Sequence, residues 1–158
     1  PPPGLFALVL VVTFASAPRS ILLALTGVMP TEWILSQPVP CWLAHKVMMG
    51  RYPPAGDPDA LCRVMKQVQP DVLTARLREV RTLRPPRGSI DLPALYIRAT
   101  DDSLLPGDAV EGVRRLIPGL VVREQEGPHL VLDTHPVDCA RLIADFLASI
   151  DPPPTVRS

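Results

Sequence analysis

An α/β architecture of about three parallel strands, flanked by helices and carrying a helical insertion, follows from three features of the sequence. Short apolar runs at residues 5–14, within 90–99 and at 120–122 read as strands, the first continuous in the way that suits a strand covered on both faces. After residue 89 these runs alternate with segments of helical spacing, which implies parallel pairing with right-handed crossovers. Between the first run and the second, residues 31–84 carry helical patterns and no good strand.

The chain has 158 residues, enough for one domain with a real core. An apolar fraction of 47% and a formal net charge of zero exclude a charged, disordered polymer. Neutrality also removes the concentrated basic face that nucleic-acid binding needs. No apolar run reaches the roughly 18–20 residues of a membrane-spanning helix. Nucleic acid and membrane are therefore not expected partners. Cys41, Cys62 and Cys139 are odd in number, widely spaced and outside any C-x-x-C pair. That argues against a disulfide framework and against structural zinc, and favours buried free thiols in a reducing cytoplasm.

The first strand is expected from Leu5 to Phe14, rich in valine, leucine and phenylalanine. Ala15-Ser16-Ala17 has the small-x-small form of a signal-peptidase site, but three prolines and a glycine stand where a basic leading segment belongs. A buried strand is the better reading. "SILLALTGVMP" is expected to be helical and to stop at Gly27 and Pro30. "EWILSQPVPCWLAHKVMMG" predicts two helical pieces interrupted by Pro38 and Pro40. Two more follow before and after Pro70, with Asp57 or Asp59 and Asp71 near their starts. Trp33, Trp42, Met48, Met49 and Met65 recur at helical spacing and are expected to fill the core of this region, with His45 on its surface.

"IDLPALYIRATDD" predicts the second strand, closed by an acidic turn. "LLPGDAVEGVRRLIPG" predicts a helix with Val110, Val113, Leu116 and Ile117 inward, and "LVVREQEGPH" the third strand. "THPVDCARLIADFLASI" predicts a closing helix capped by Thr134, with Pro136 in its first turn. Its stripe is Cys139, Leu142, Ile143, Phe146 and Leu147. Residues 151–158 read as a disordered tail.

In open parallel sheets, reactive groups gather at the carboxyl ends of the strands. Asp101-Asp102 follows the second strand and His129 follows the third. An acid beyond one strand and a histidine beyond the next is the arrangement in which a carboxylate orients an imidazole to serve as general base. His135 reads as part of the last helix's start. His129, Asp133 and His135 have a superficial metal-ligand spacing, but the helix start between them would splay the donors.

These segments resemble the C-terminal half of the α/β-hydrolase family. "ATDDSLLP" is similar to the family's G-x-x-D-x-x-V-P segment, with Asp102 in the place of the triad acid and Ala99 replacing the glycine. "GPHLVLDTHPVDCARLIADFL" is similar to the closing pattern, with His129 in the place of the triad histidine. "ALVLVVTFASAP" resembles the strand after the nucleophile-bearing helix, and the following segment fits the family's helical cap. The resemblance implies a partial α/β-hydrolase fold: a core strand (1–18), a cap or lid (19–88), C-terminal core strands and helices (89–150) and a tail (151–158).

It also implies Ser-His-Asp hydrolysis of a small acyl or ester substrate by the complete protein, with no metal or organic cofactor. G-x-S-x-G, the family's nucleophile turn, does not occur in this sequence. Ser16 has the right order relative to Asp102 and His129 but lies between Phe14 and Pro18, which do not suit that turn. The expectation is a cytoplasmic serine-hydrolase fragment, inactive alone. Its rival is a noncatalytic module that self-associates through strand 5–14.

Overall fold

The computed structural model of the chain describes residues 4–18 and 40–150. The expected helices over 20–30 and 32–37, together with Trp33 and the 151–158 tail, lie outside them. Three strands form one parallel sheet in the order β1 (Leu8–Val11), β2 (Ala94–Ala99), β3 (Leu120–Gln125). The first strand is shorter than the apolar run that predicts it. Its pairing continues one residue further, with Val12 N–H donating to Ile97 C=O at 3.0 Å. Val12 then adopts a φ of +45°, an uncommon conformation for a β-branched residue, and the ladder ends.

β2 is the central strand, and its alternation sends side chains into two cores. Leu95, Ile97 and Ala99 pack with Val131, Cys139 and Phe146 on one face. Ala94 and Tyr96 pack with Val110, Val113 and Ile117 on the other. Being covered on both faces is what makes this strand a continuous apolar run in the sequence. The described residues also form the helices α1 (Cys41–Met48), α2 (Ala60–Gln67), α3 (Pro70–Thr82), α4 (Ala109–Leu116), α5 (Val131–Thr134) and α6 (Pro136–Ser149). None of the described helices is long and apolar enough to cross a membrane.

The helix patterns hold with local corrections. Cys139 and Phe146 are buried and Leu142 and Ile143 pack beside them, whereas Leu147 is exposed, one position round from the buried stripe. Thr134 does not cap α6. It closes α5, where its hydroxyl donates to Leu130 C=O at 3.2 Å, and His135 occupies the N-cap position without a side-chain cap bond. Met49 is buried as expected, but Trp42 is 66% exposed and belongs to no core among the described residues.

The largest correction concerns the cysteines. α1 and α2 pack together and bring Cys41 and Cys62 to a Cα–Cα distance of 5.5 Å, where they form a disulfide; Cys139 alone is free and buried. Sequence spacing hid this pair because the contact is made by cysteines 21 residues apart on two different helices.

Candidate active site

β2 and β3 lie side by side, and their pairing runs on past both strand ends. Thr100 N–H donates to Gln125 C=O at 3.1 Å, and Asp101 N–H donates to Gly127 C=O at 2.9 Å. The two loops are thereby held in step. Asp102 and His129 meet across them, with Nδ1 of His129 3.0 Å from Oδ2 and 3.2 Å from Oδ1 of Asp102. A carboxylate only accepts, so the imidazole proton sits on Nδ1, and Nε2 of the neutral ring is the acceptor.

Asp102 is fixed from its own loop as well. Its Oδ1 accepts the backbone N–H groups of Leu104 at 2.7 Å and Leu105 at 3.0 Å. The carboxylate is 6% exposed and the imidazole 22%. Burial pushes the Asp102 carboxyl up. The His129 hydrogen bond and the Leu105 and Leu104 amides outweigh it and hold the group below the usual carboxylate range.

Gly127 is the residue the His129 turn requires. A Cβ there would stand 2.9 Å from Cγ2 of Val131 and 3.1 Å from Nδ1 of His135, closer than side chains pack. Glycine lets α5 and the start of α6 close over the loop while Pro128 is buried beneath it.

The neighbouring acid has a different task. Asp101 faces outward to Arg51, whose Nη2 lies 3.1 Å from Oδ2, and accepts the hydroxyl of Tyr52. Both residues also reach Glu126, beyond β3, at 3.4 and 3.1 Å. The bond to Asp101 holds the Tyr52 phenol above its ordinary value. Tyr52 arrives there because Gly50, at φ +61°, ends α1 in the left-handed conformation and reverses the chain. Further bonds join this segment to the loops of the pair. Leu130 N–H donates to Met48 C=O at 3.2 Å, Ala55 N–H to Asp133 C=O at 2.8 Å, and the Ser103 hydroxyl to Val47 C=O at 2.7 Å.

Sequence reasoning missed Arg51, Tyr52, Glu126 and Ser103. The available signal was the "MMGRYPP" stop, a glycine after helical spacing followed by an aromatic and two prolines.

Asp133 and His135 are not gathered with His129. The His135 ring meets the Thr134 hydroxyl at 2.9 Å and the edge of Tyr52 with ring centres 5.3 Å apart. Ser16 is turned to α4, where a Cβ on Gly112 would stand 3.1 Å from its Oγ. Among the described residues, Asp102 is the one hydrogen-bonding partner of the His129 ring. The pair as it stands can orient an imidazole and accept a proton at Nε2.

No protein-family model matches the sequence, and no curated protein matches it. Solved structures do. The enol-lactonase of Burkholderia xenovorans superposes with a TM-score of 0.63 at 16% identity, over 92% of this chain and 57% of its own. A thermophilic esterase from Thermogutta terrifontis gives 0.62 at 16%, over 90% and 55%. A hydrolase from Pseudomonas aeruginosa gives 0.58 at 18%, over 91% and 56%. The chain thus spans a little over half the length of the structures it matches, and at these identities the likeness is one of fold.

Proposed function

We propose that this chain, which has part of the α/β-hydrolase fold, supplies the acid and the base of a Ser-His-Asp hydrolase whose nucleophile lies elsewhere in the complete protein. The observation that carries the reading is the Asp102–His129 pair at the carboxyl ends of adjacent parallel strands, with Nδ1 turned to the carboxylate. In that protein a serine attacks the carbonyl of a small ester or other acyl substrate. His129 takes the serine proton at Nε2 and returns it to the leaving group, and Asp102 stabilises the imidazolium. Residues 19–88 act as the cap. In support, the described part of that segment is bonded to the loops carrying Asp102 and His129.

The chain alone should not react with a fluorophosphonate probe, with heat-denatured protein as control. Labelling that disappears in His129→Ala would mean a serine within these residues is activated, and would overturn the reading. In the longer protein, His129→Ala should lower kcat/KM for an aryl ester by about a thousandfold or more.

A second reading has its own observation. β1 lies at the sheet edge, with Leu5, Phe6 and Val9 exposed, and beside it opens an apolar hollow of about 380 Å³ lined by Leu8, Leu10, Phe14 and Leu116. Such an edge is a template for strand addition. A self-associating module would form dimers in light scattering that Val9→Lys dissolves. A monomer at high concentration would exclude it.

A further inference from the structure

We propose that Cys41, His45 and Cys62 form a soft divalent-metal site, taking Zn²⁺ when the two cysteines are thiols and losing it when they close as the disulfide. The ligand atoms of all three residues lie within 4.8 Å of one another. Cys41 and His45 are four residues apart on α1, so both project from one face of that helix. Cys62 faces them from α2. This is the spatial cluster that no spacing rule in the sequence would find.

The donor set decides the metal class. Two thiolates and an imidazole suit zinc, at about 2.3 Å to sulfur and about 2.0–2.1 Å to nitrogen. A tetrahedral ion with those bonds holds its ligands roughly 3.3–3.8 Å apart, so the two sulfurs, bonded here, must part to that distance, while all three ligand atoms already lie within 4.8 Å of one another. Two thiolates neutralise the charge of the ion, and water takes the fourth position because Cys41 is exposed. Magnesium and calcium, which prefer oxygen donors, are excluded by the same chemistry.

The disulfide and the metal compete for the same sulfurs. A low-molecular-weight disulfide R–S–S–R reaches the exposed Cys41. Its thiolate attacks one sulfur and expels RS⁻, and Cys62 then displaces the second RS⁻ to close the Cys41–Cys62 bond. The cysteine pair loses two electrons, R–S–S–R gains them, and Zn²⁺ leaves with charge balanced by the two RS⁻. His45 has no part in the disulfide, so its involvement separates a metal site from a simple cross-link.

The test uses the 158-residue chain, stripped of metal with a chelator, in a phosphine reductant. Titration with zinc against a chromogenic chelator should give one ion per chain, and cobalt should give thiolate charge-transfer absorption. Cys62→Ser and His45→Ala should each weaken zinc binding at least tenfold, and Cys41→Ser, at an exposed position, guards against misfolding as the cause. Treatment with oxidised glutathione should abolish binding and release the metal. Reduced protein that binds no zinc, affinity unmoved by His45→Ala, or equal binding before and after oxidation would each overturn the proposal.

Discussion

Oδ1 of Asp102 is shared: it lies 3.2 Å from Nδ1 of His129 and also accepts the Leu104 and Leu105 amides at 2.7 and 3.0 Å. The acid is therefore both a partner of the imidazole and the organiser of its own turn. Asparagine at this position keeps the turn and loses the charge, whereas alanine loses both.

The depressed Asp102 value gives the pH dependence its sign. Ionised Asp102 contributes stability that is complete above the unfolded value of about 3.9 and is lost as pH falls through the lower folded value. Asp102→Asn should cost about 1–3 kcal/mol at pH 7. The deficit should begin to shrink below about pH 4, where the unfolded carboxyl takes up its proton first, and should be gone below the lower folded value. Urea unfolding at both pH values measures it, and an equal deficit at both would contradict the account.

Gly127→Ala should destabilise by about 1–3 kcal/mol, since Val131 and His135 must give way to the new Cβ. Displacement of the loop should also move the His129 ring, visible as a shift of its imidazole nitrogen resonances. An unchanged unfolding midpoint would show that the loop has slack.

Tyr52→Phe keeps the ring against His135 and removes the hydroxyl from Asp101 and Glu126. The thermal midpoint should hardly move, because the contact is exposed. Hydrogen exchange at the Ala55 and Leu130 amides should instead speed up several-fold, as the bonds they make between the Met48–Ala55 segment and the C-terminal core loosen. Unaltered exchange would mean the backbone bonds suffice.

Gly112 sits inside α4, where alanine is ordinarily worth about 0.5–1 kcal/mol over glycine. Its Cβ would press on Oγ of Ser16, so Gly112→Ala alone should gain less than that. Adding Ser16→Ala removes the obstruction and should restore the gain. A double-mutant cycle reads the coupling, and strict additivity would mean the two residues do not touch.

The sheet was legible because β2 and β3 and their helices carry uninterrupted patterns of the right period. Asp102 was reached by resemblance, since two adjacent aspartates in a turn are equivalent by residue type; only the direction of each side chain separates the acid facing His129 from the one facing Arg51. Trp42 misled because helical spacing defines a face without saying whether anything lies against it. The Cys41–Cys62 contact and the Arg51–Tyr52 bridge depend on how helices and loops distant in sequence come together, and no local pattern encodes that.

The ladder that continues past β2 and β3 has a consequence for how this half-fold can vary. Asp102 lies three residues beyond the end of β2 and His129 four beyond the end of β3. Two backbone bonds measure off those lengths against each other. Side chains between them can be exchanged, within the limits set at Gly127, without disturbing the meeting of acid and imidazole. One residue inserted between Gln125 and His129 would carry the ring out of reach while leaving every strand and helix intact. At this corner of the molecule the quantity under tightest control is a difference in chain length.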